Sequence, residues 1–567
     1  MSRCGRVTII EAIVLLIVTA GQFRAGDAQF PRVCTSADHI SQKECCPIPP
    51  GFTEPCGGPG RGRCAEIADA TVDDPAWKEA YKVDDRRHWP TVFFNRACVC
   101  EGFFSGYDCT KCIWGRRGRN CTTEKLSVRR NIRHLSPEDV EKVKRYFNAA
   151  KTAPSDYVMA LEFYEDINGS EDFADVSVYN YFVATHYYAS RATMPPYKHG
   201  YCKTEADCQI DFAHEGSGFP TWHRAFLLEL ERALQEVNND PDFTIPYWDW
   251  TEAENCTICT NDYVGANYED GSLDPRSLFA TWETICVQSD PFYNATSRNH
   301  TKPCNVTKRD GHVMRNPGHQ DRKRFGESMY RLPTAAEVDF GLRFPTFDRR
   351  PYSKTANCTF RNLLEGFADT STGKYRGDRY VNGTLIPGAH TLHNHVHLYL
   401  DGTMSAVPSS VNDPVFSLHH CFVDRIFEKW IRRHKTPSNE ALPKTGASPG
   451  HNRHEYIVPF FPPYSHADFF KPSTALGYDY EDVDGDGMSE GERIQDNSNL
   501  GECSTATDPW TDVLIYVVIG VVGFVILIAM FACFCCIFCY ICKRRQQSSG
   551  AGRSNWVPLS TSAPEHA

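Results

Sequence analysis

The chain has 567 residues, 60 Lys and Arg against 71 Asp and Glu, and a formal net charge of -11. The length exceeds a single small module, and the acidic balance excludes a predominantly electrostatic nucleic-acid binder, which needs a basic footprint. With 41% hydrophobic and 12% aromatic residues there is material for a large core, so wholesale disorder is excluded as well.

Residues 1–28 read as a cleaved secretory signal. Arg3 and Arg6 precede an apolar run from Val7 to Ala20 broken by Glu11, and the small residues around Gly26 and Ala28 suit a signal peptidase. Residues 29–125 read as a disulfide-stapled unit, because ten cysteines fall between Cys34 and Cys121 among many Gly and Pro. Its second half, Cys98, Cys100, Cys109, Cys112 and Cys121 around Gly102, Gly106, Gly115 and Gly118, resembles an EGF-like module; a brace for the neighbouring domain is the expected role. Spacing alone leaves the pairings open.

Amphipathic patterns dominate residues 126–472. Ser136-Pro137-Glu138-Asp139 combines an N-cap, a first-turn proline and acidic residues against the helix dipole, which predicts a helix to Ala150. Val176–Ala189, Trp222–Asn238, Thr391–Leu400 and Val415–Arg433 are further predicted helices, so the domain is mainly α. Residues 473–512 are acidic and Gly-rich and read as a linker. Asp482, Asp484, Asp486 and Gly487 copy half of a calcium loop, but Arg493 stands where a bidentate Glu belongs, which favours a solvated linker. Residues 513–542 carry no charge and exceed the about 20 residues a bilayer core requires, so they predict a transmembrane helix. Lys543, Arg544 and Arg545 end it and put the tail, 543–567, in the cytosol.

Everything between the two apolar segments is therefore expected to be lumenal or extracellular. Nineteen of the 25 cysteines lie there, with eight Asn-x-Ser/Thr sequons from Asn120 to Asn382 as glycan acceptors. Cys202 and Cys208 suggest a local loop. Nineteen is odd, so at least one cysteine lacks an intramolecular partner, and Cys421 is the candidate buried thiol.

Histidine spacing carries the chemistry. His393 and His397 are four apart, about 40° around a helix axis, so both rings can reach one ion while His395 points away. Neighbouring His419 and His420 lie about 100° apart, so one of them can join that pair; spacing does not choose between them. His186 lies on another apolar segment. His214 and His223 would be out of phase on a continuous helix, but Gly216, Gly218 and Pro220 break it and let both aim inward. Two groups of three imidazoles suit two copper ions, although three-His sites also accept zinc.

Asp211-Phe-Ala-His214-Glu215, Pro220-Thr-Trp-His223-Arg224, Tyr247-Trp-Asp-Trp250, His393-Asn-His-Val-His397 and Leu418-His-His420-Cys-Phe-Val-Asp424 resemble the animal tyrosinases. The similarity runs from about Phe30 to Tyr480, with the anchor in the corresponding place. It implies a four-helix bundle holding a binuclear copper centre, with His186, His214 and His223 on one ion and His393, His397 and His420 on the other. It further implies O2 and phenolic or catecholic substrates, hydroxylation of L-tyrosine and oxidation of L-dopa to o-quinones, and entry into melanin synthesis. Glu365 and Asn394 match residues thought to hold a water that takes the phenol proton; a surface ion pair is the alternative for Glu365. Asp424 is expected to orient a ligand histidine or to pair with Arg425 or Lys429. The related zinc branch that isomerises dopachrome is the alternative function, with Met404-Ser405 and the doubled histidine favouring the tyrosinase reading. A haemocyanin-like oxygen carrier and a non-enzymatic adhesion protein fit less well. The implied address is the melanosome membrane, although the tail lacks the usual melanosomal sorting signals, with the cell surface as the other address.

Overall fold

A computed structural model describes residues 28–72, 84, 86–161, 172–191, 210–287, 304–318, 330–377, 379–381, 384–386, 388–483, 503 and 509–548. The signal segment apart from Ala28, Cys202 and Cys208, the sequons at Asn168, Asn294, Asn299 and Asn382, most of the acidic linker and the tail beyond Ser548 lie outside the described residues.

Helix α1 (Pro137–Thr152) begins where its capping signals place it. Ser136 Oγ accepts the Asp139 N–H at 3.1 Å and Pro137 occupies the first turn. Val140, Val143, Phe147 and Ala150 form its buried stripe. Every residue of α2 (Val178–Ser190) is buried, which explains a sequence without a polar face. It starts two residues later than expected, because Phe173–Ser177 is a strand and Ser177 caps the helix that follows. Helix α3 (Phe219–Asn238) starts earlier than expected, since Pro220 sits in its first turn, where its missing N–H costs nothing. Then follow the short α4 (Phe360–Glu365), α5 (Leu392–Leu400) and α6 (Val415–His434). Helix α3 packs against α2, α4 and α6, and α5 packs against α4 and α6.

The cysteine-rich stretch is closed by Cys34–Cys45, Cys46–Cys64, Cys56–Cys98, Cys100–Cys109 and Cys112–Cys121. Cys46, Cys56, Cys98 and Cys109 make a small core of their own, whereas Phe30, Trp89, Phe93 and Phe94 join the main core beside α2 and α3. Gln29–Pro31, immediately after the expected signal, pairs antiparallel with Pro154–Ala160, which pairs with Phe173–Ser177.

One boundary needs correction. Residues 473–483, assigned by composition to the linker, belong to the folded unit: Tyr478–Tyr480 pairs in parallel with Ser127–Arg129, and Tyr478 and Tyr480 are buried. Alternation of two tyrosines with Asp479 is a strand pattern that overall acidity obscures. Further along, Cys503 is bonded to Cys358. Cys421 is buried and free, as anticipated.

A second unit, Ser504–Ala567, contains helix α7 (Pro509–Ser548). Its stretch Gly520–Ile541 has a mean hydropathy of 3.0 over 22 residues and is long and apolar enough to cross a membrane. The sequons at Asn120, Asn255, Asn305 and Asn357 are all exposed.

Candidate metal centre

His186 comes from α2, His223 from the second turn of α3, His393 and His397 from α5 and His420 from α6. His214 stands on a turn, just ahead of Gly216, Gly218 and Pro220. Asp211 Oδ1 accepts the N–H groups of Ala213 at 2.7 Å and His214 at 2.8 Å, and Glu215 adopts a left-handed φ of 62°. This Asx-type turn aims the ring inward without helical geometry.

The rings form two groups whose nitrogen atoms lie within 4.8 Å of one another: His186, His214 and His223 in one; His393, His397, His419 and His420 in the other. The groups face each other, with the His223 and His420 rings stacked at 4.3 Å. His397 Nε2 and His420 Nε2 are 3.3 Å apart. Phe416 stacks on His420 at 4.0 Å and Phe219 meets His393 at 4.8 Å, so the surroundings are aromatic and dry.

In five of the six expected ligands Nδ1 is anchored by an acceptor. His186 donates to the Pro408 carbonyl at 3.1 Å, His223 to Phe219 at 2.9 Å, His397 to Met404 at 2.8 Å and His393 to Glu365 at 3.2 Å. His214 donates to the Asp211 carboxylate at 3.0 Å. Acceptors at Nδ1 fix the proton there and leave the Nε2 lone pair free, the tautomer a metal requires. Nε2 of His186, His223 and His393 is buried with no hydrogen-bond partner. Such orphaned atoms are costly, and a cation between them would satisfy all of them together.

His419 is built the other way. The Trp250 indole N–H, which can only donate, reaches its Nδ1 at 3.1 Å, so Nδ1 bears the lone pair and Nε2 the proton. His419 stacks on His393 at 5.2 Å with its lone pair turned to Trp250, an arrangement that favours His420 as the third ring. His395 bonds the Arg331 carbonyl at 2.6 Å, outside the group.

Burial first, then repulsion among the rings, keeps most of the cluster neutral: His186 is pushed down to about 3, and His223, His393 and His420 well below the ordinary value. Burial and a weaker repulsion from His214 also lower His397, to about 4. Burial opposes charge on His214 too, but the Asp211 carboxylate outweighs it and raises that ring.

Glu365 is fully buried rather than on the surface. Its carboxylate accepts from Arg361 Nη1 at 3.0 Å and from the Glu215 N–H, and Arg361 also binds Asp348. Burial raises its pKa to about 7 despite the Arg361 charge. Gly366 allows this approach, since a Cβ there would lie 2.1 Å from the Thr391 carbonyl and 2.9 Å from Asn394 Cβ. Asn394 Oδ1 lies 3.0 Å from His393 Nδ1. Asp424 neither orients a ligand nor pairs with Arg425 or Lys429; it binds Arg224 at 2.6 Å together with the hydroxyls of Tyr478 and Tyr480. The carboxylate that does orient one of the expected ligands is Asp211, legible as Asp three positions before His.

A family profile described as the common central domain of tyrosinase matches residues 176–433. Over 459 residues the chain is 43% identical to a tyrosinase of Gallus gallus, covering 80% of this chain and 82% of that one. A tyrosinase of Bos taurus is 41% identical over 464 residues, 81% of this chain and 82% of its own. A 5,6-dihydroxyindole-2-carboxylic acid oxidase of Ambystoma mexicanum is 37% identical over 488 residues, 83% and 85% of the two chains.

Proposed function

Since this chain belongs to the tyrosinase family, a family with a binuclear copper centre, we propose that His186, His214 and His223 hold one copper ion and His393, His397 and His420 the other. What carries the assignment is the inward-facing Nε2 set, buried and orphaned at three of the six rings and left as a free lone pair by Nδ1 anchors at five. Three neutral imidazoles per ion are a donor set that copper, at the top of the divalent affinity order, binds well.

The enzyme is a tyrosinase, a copper oxidase that hydroxylates monophenols and oxidises o-diphenols to o-quinones with O2. When bound by these six histidines, the copper pair would supply the redox chemistry with O2. The chain's own residues hold most of the rings neutral, exclude bulk water through Phe219 and Phe416, and manage the substrate proton. A phenol is protonated at neutral pH, with pKa about 10, so its hydroxylation needs a base. We assign that task to a water held by Glu365 and Asn394, which Gly366 brings together. Glu365→Gln should lower monophenol hydroxylation about a hundredfold relative to dopa oxidation; equal effects on both would remove the assignment. The same variant tests the burial of the carboxylate. As pH rises from the ordinary carboxyl range through about 7, ionising Glu365 in its site costs stability. Metal-free Glu365→Gln protein should therefore gain on metal-free wild type across that window in thermal melts.

The four helices α2, α3, α5 and α6 are read as the bundle. Residues 1–28 are a signal, 29–125 a cysteine-rich EGF-like brace, 126–483 the catalytic domain and 513–542 a single membrane span. The exposed sequons support glycosylation and a lumenal catalytic domain, hence a type I topology, with the melanosome membrane as the address by family. Purified full-length protein should contain two coppers per chain and turn over both tyrosine and dopa. Zinc at both positions, with dopachrome isomerised and dopa untouched, would overturn this function in favour of the tautomerase reading.

A further inference from the structure

Arg86 lies between Cys64 and Cys98, in the N-terminal segment, yet its guanidinium is sunk in the catalytic core with 1% of the residue exposed. Asp84 neutralises it through Nε at 2.9 Å and Nη2 at 2.8 Å, a fork-to-fork pair with both side chains fully buried. The remaining donors reach four backbone carbonyls: Nη1 to Tyr188 at 3.0 Å, Ala189 at 2.9 Å and Arg191 at 2.8 Å, and Nη2 to Ile210 at 2.9 Å. The first three are carbonyls at the end of α2, where a helix leaves its acceptors unpaired and favours positive charge. The fourth is where the chain enters the turn of His214. Phe212 stacks beneath the cation at 4.6 Å, and its N–H bonds the Ala189 carbonyl at 3.0 Å.

His186 stands two residues before Tyr188, and Asp211, which orients His214, follows Ile210. One guanidinium therefore clamps the helix end carrying the first ring to the turn carrying the second. We propose that Arg86, charge-balanced by Asp84, is a positioning residue for the copper centre, so that the N-terminal segment sets the geometry of the His186, His214 and His223 trio. A planar fork with five N–H groups spans these six acceptors, with the Nη1 hydrogens shared among three carbonyls; a lysine ammonium has three donors at one point. The inference rests on the ligand assignment above.

The test is Arg86→Lys in the full-length chain, read by copper stoichiometry and by electron paramagnetic resonance of the oxidised protein. Wild type should hold two coppers and give little cupric signal, because the paired ions couple. The variant should keep about one copper, show the signal of an isolated cupric ion, and lose dopa oxidation at least about tenfold. Trp89→Phe, in the same buried segment, serves as a control of matched thermal stability and should retain both ions. Two coppers in Arg86→Lys, or equal copper loss in the control, overturns the positioning role; a wild type without two coppers overturns the ligand assignment instead. If Arg86→Lys does not fold, hydrogen exchange on metal-free wild type decides. Residues 86–89, 187–191 and 210–214 should open as one unit, and independent opening of 86–89 removes the proposal.

Discussion

His397→Ala protein should fold, carry about one copper instead of two, and oxidise dopa about a thousandfold more slowly, a loss of about 4 kcal/mol of transition-state stabilisation. The ring is buried and makes one anchoring bond, from Nδ1 to the Met404 carbonyl, so its removal leaves a small cavity and one unpaired acceptor. Such a deletion costs about 1–3 kcal/mol, tolerable in a chain with so many disulfides and so large a core. The damage is instead concentrated on the centre, because Nε2 of His397 faces His420 Nε2 at 3.3 Å and no other described side chain can replace it. His419 is near enough, but Trp250 keeps its proton on Nε2. His395→Ala is the control: the ring sits two residues away, bonded to Arg331, and its loss should leave both ions and most turnover intact. Metal analysis with dopa turnover distinguishes the two variants. Unchanged copper and turnover in His397→Ala would remove this ring from the ligand set.

The sequence exposed the parts of this centre that are local. Four residues on a helix return to the same face, so His393 and His397 announce themselves, and the capping signal at Ser136 places α1 to within a turn. Asp211 with His214 and Arg361 with Glu365 are just as local, three and four apart, and spacing alone makes them readable. What could not be read is whatever depends on residues far apart in the chain. The indole that favours His420 over His419 as a ligand stands 169 residues from His419. Arg86 acts on carbonyls 102–124 residues downstream. Residues 473–483 look like solvated linker until Ser127–Arg129 supplies a strand to pair with. Acidic composition describes how a segment meets water, not whether a distant strand will claim it.

The largest effect on stability is expected behind the centre, at Asp424→Asn. Arg129 and Arg224 are both fully buried there, and the Asp424 carboxylate is their meeting point. Oδ1 accepts from Arg224 Nε at 2.6 Å, while Oδ2 accepts from Tyr478 and Tyr480 at 2.6 Å each and from Arg129 at 3.5 Å. Every one of these partners is a donor. An asparagine keeps the shape but replaces one oxygen with an NH2 group: turned toward Arg224 it sets donor against donor, and turned toward Tyr478 and Tyr480 it opposes Arg129 and forces both hydroxyls from donor to acceptor. It also removes a negative charge, although Glu231 still pairs with Arg129 and Glu428 with Arg224. Removing one member of a buried ion pair costs about 3–5 kcal/mol, and reorienting the two tyrosine hydroxyls adds to it. The cost reaches the metal site, since Arg224 adjoins His223 on α3 and Asp424 lies one turn beyond His420 on α6; the pair fastens the two helices whose rings stack across the centre. Denaturation of the variant should therefore shift by several kcal/mol and become more dependent on added copper, because metal binding stabilises only the folded arrangement. Asp175→Asn, which breaks an exposed pair with Arg32, should cost less than about 1 kcal/mol and show no such dependence. A shift at Asp424 no larger than at Asp175 would mean that the buried network carries no net stability, and that the stacked rings of His223 and His420 are held by packing alone.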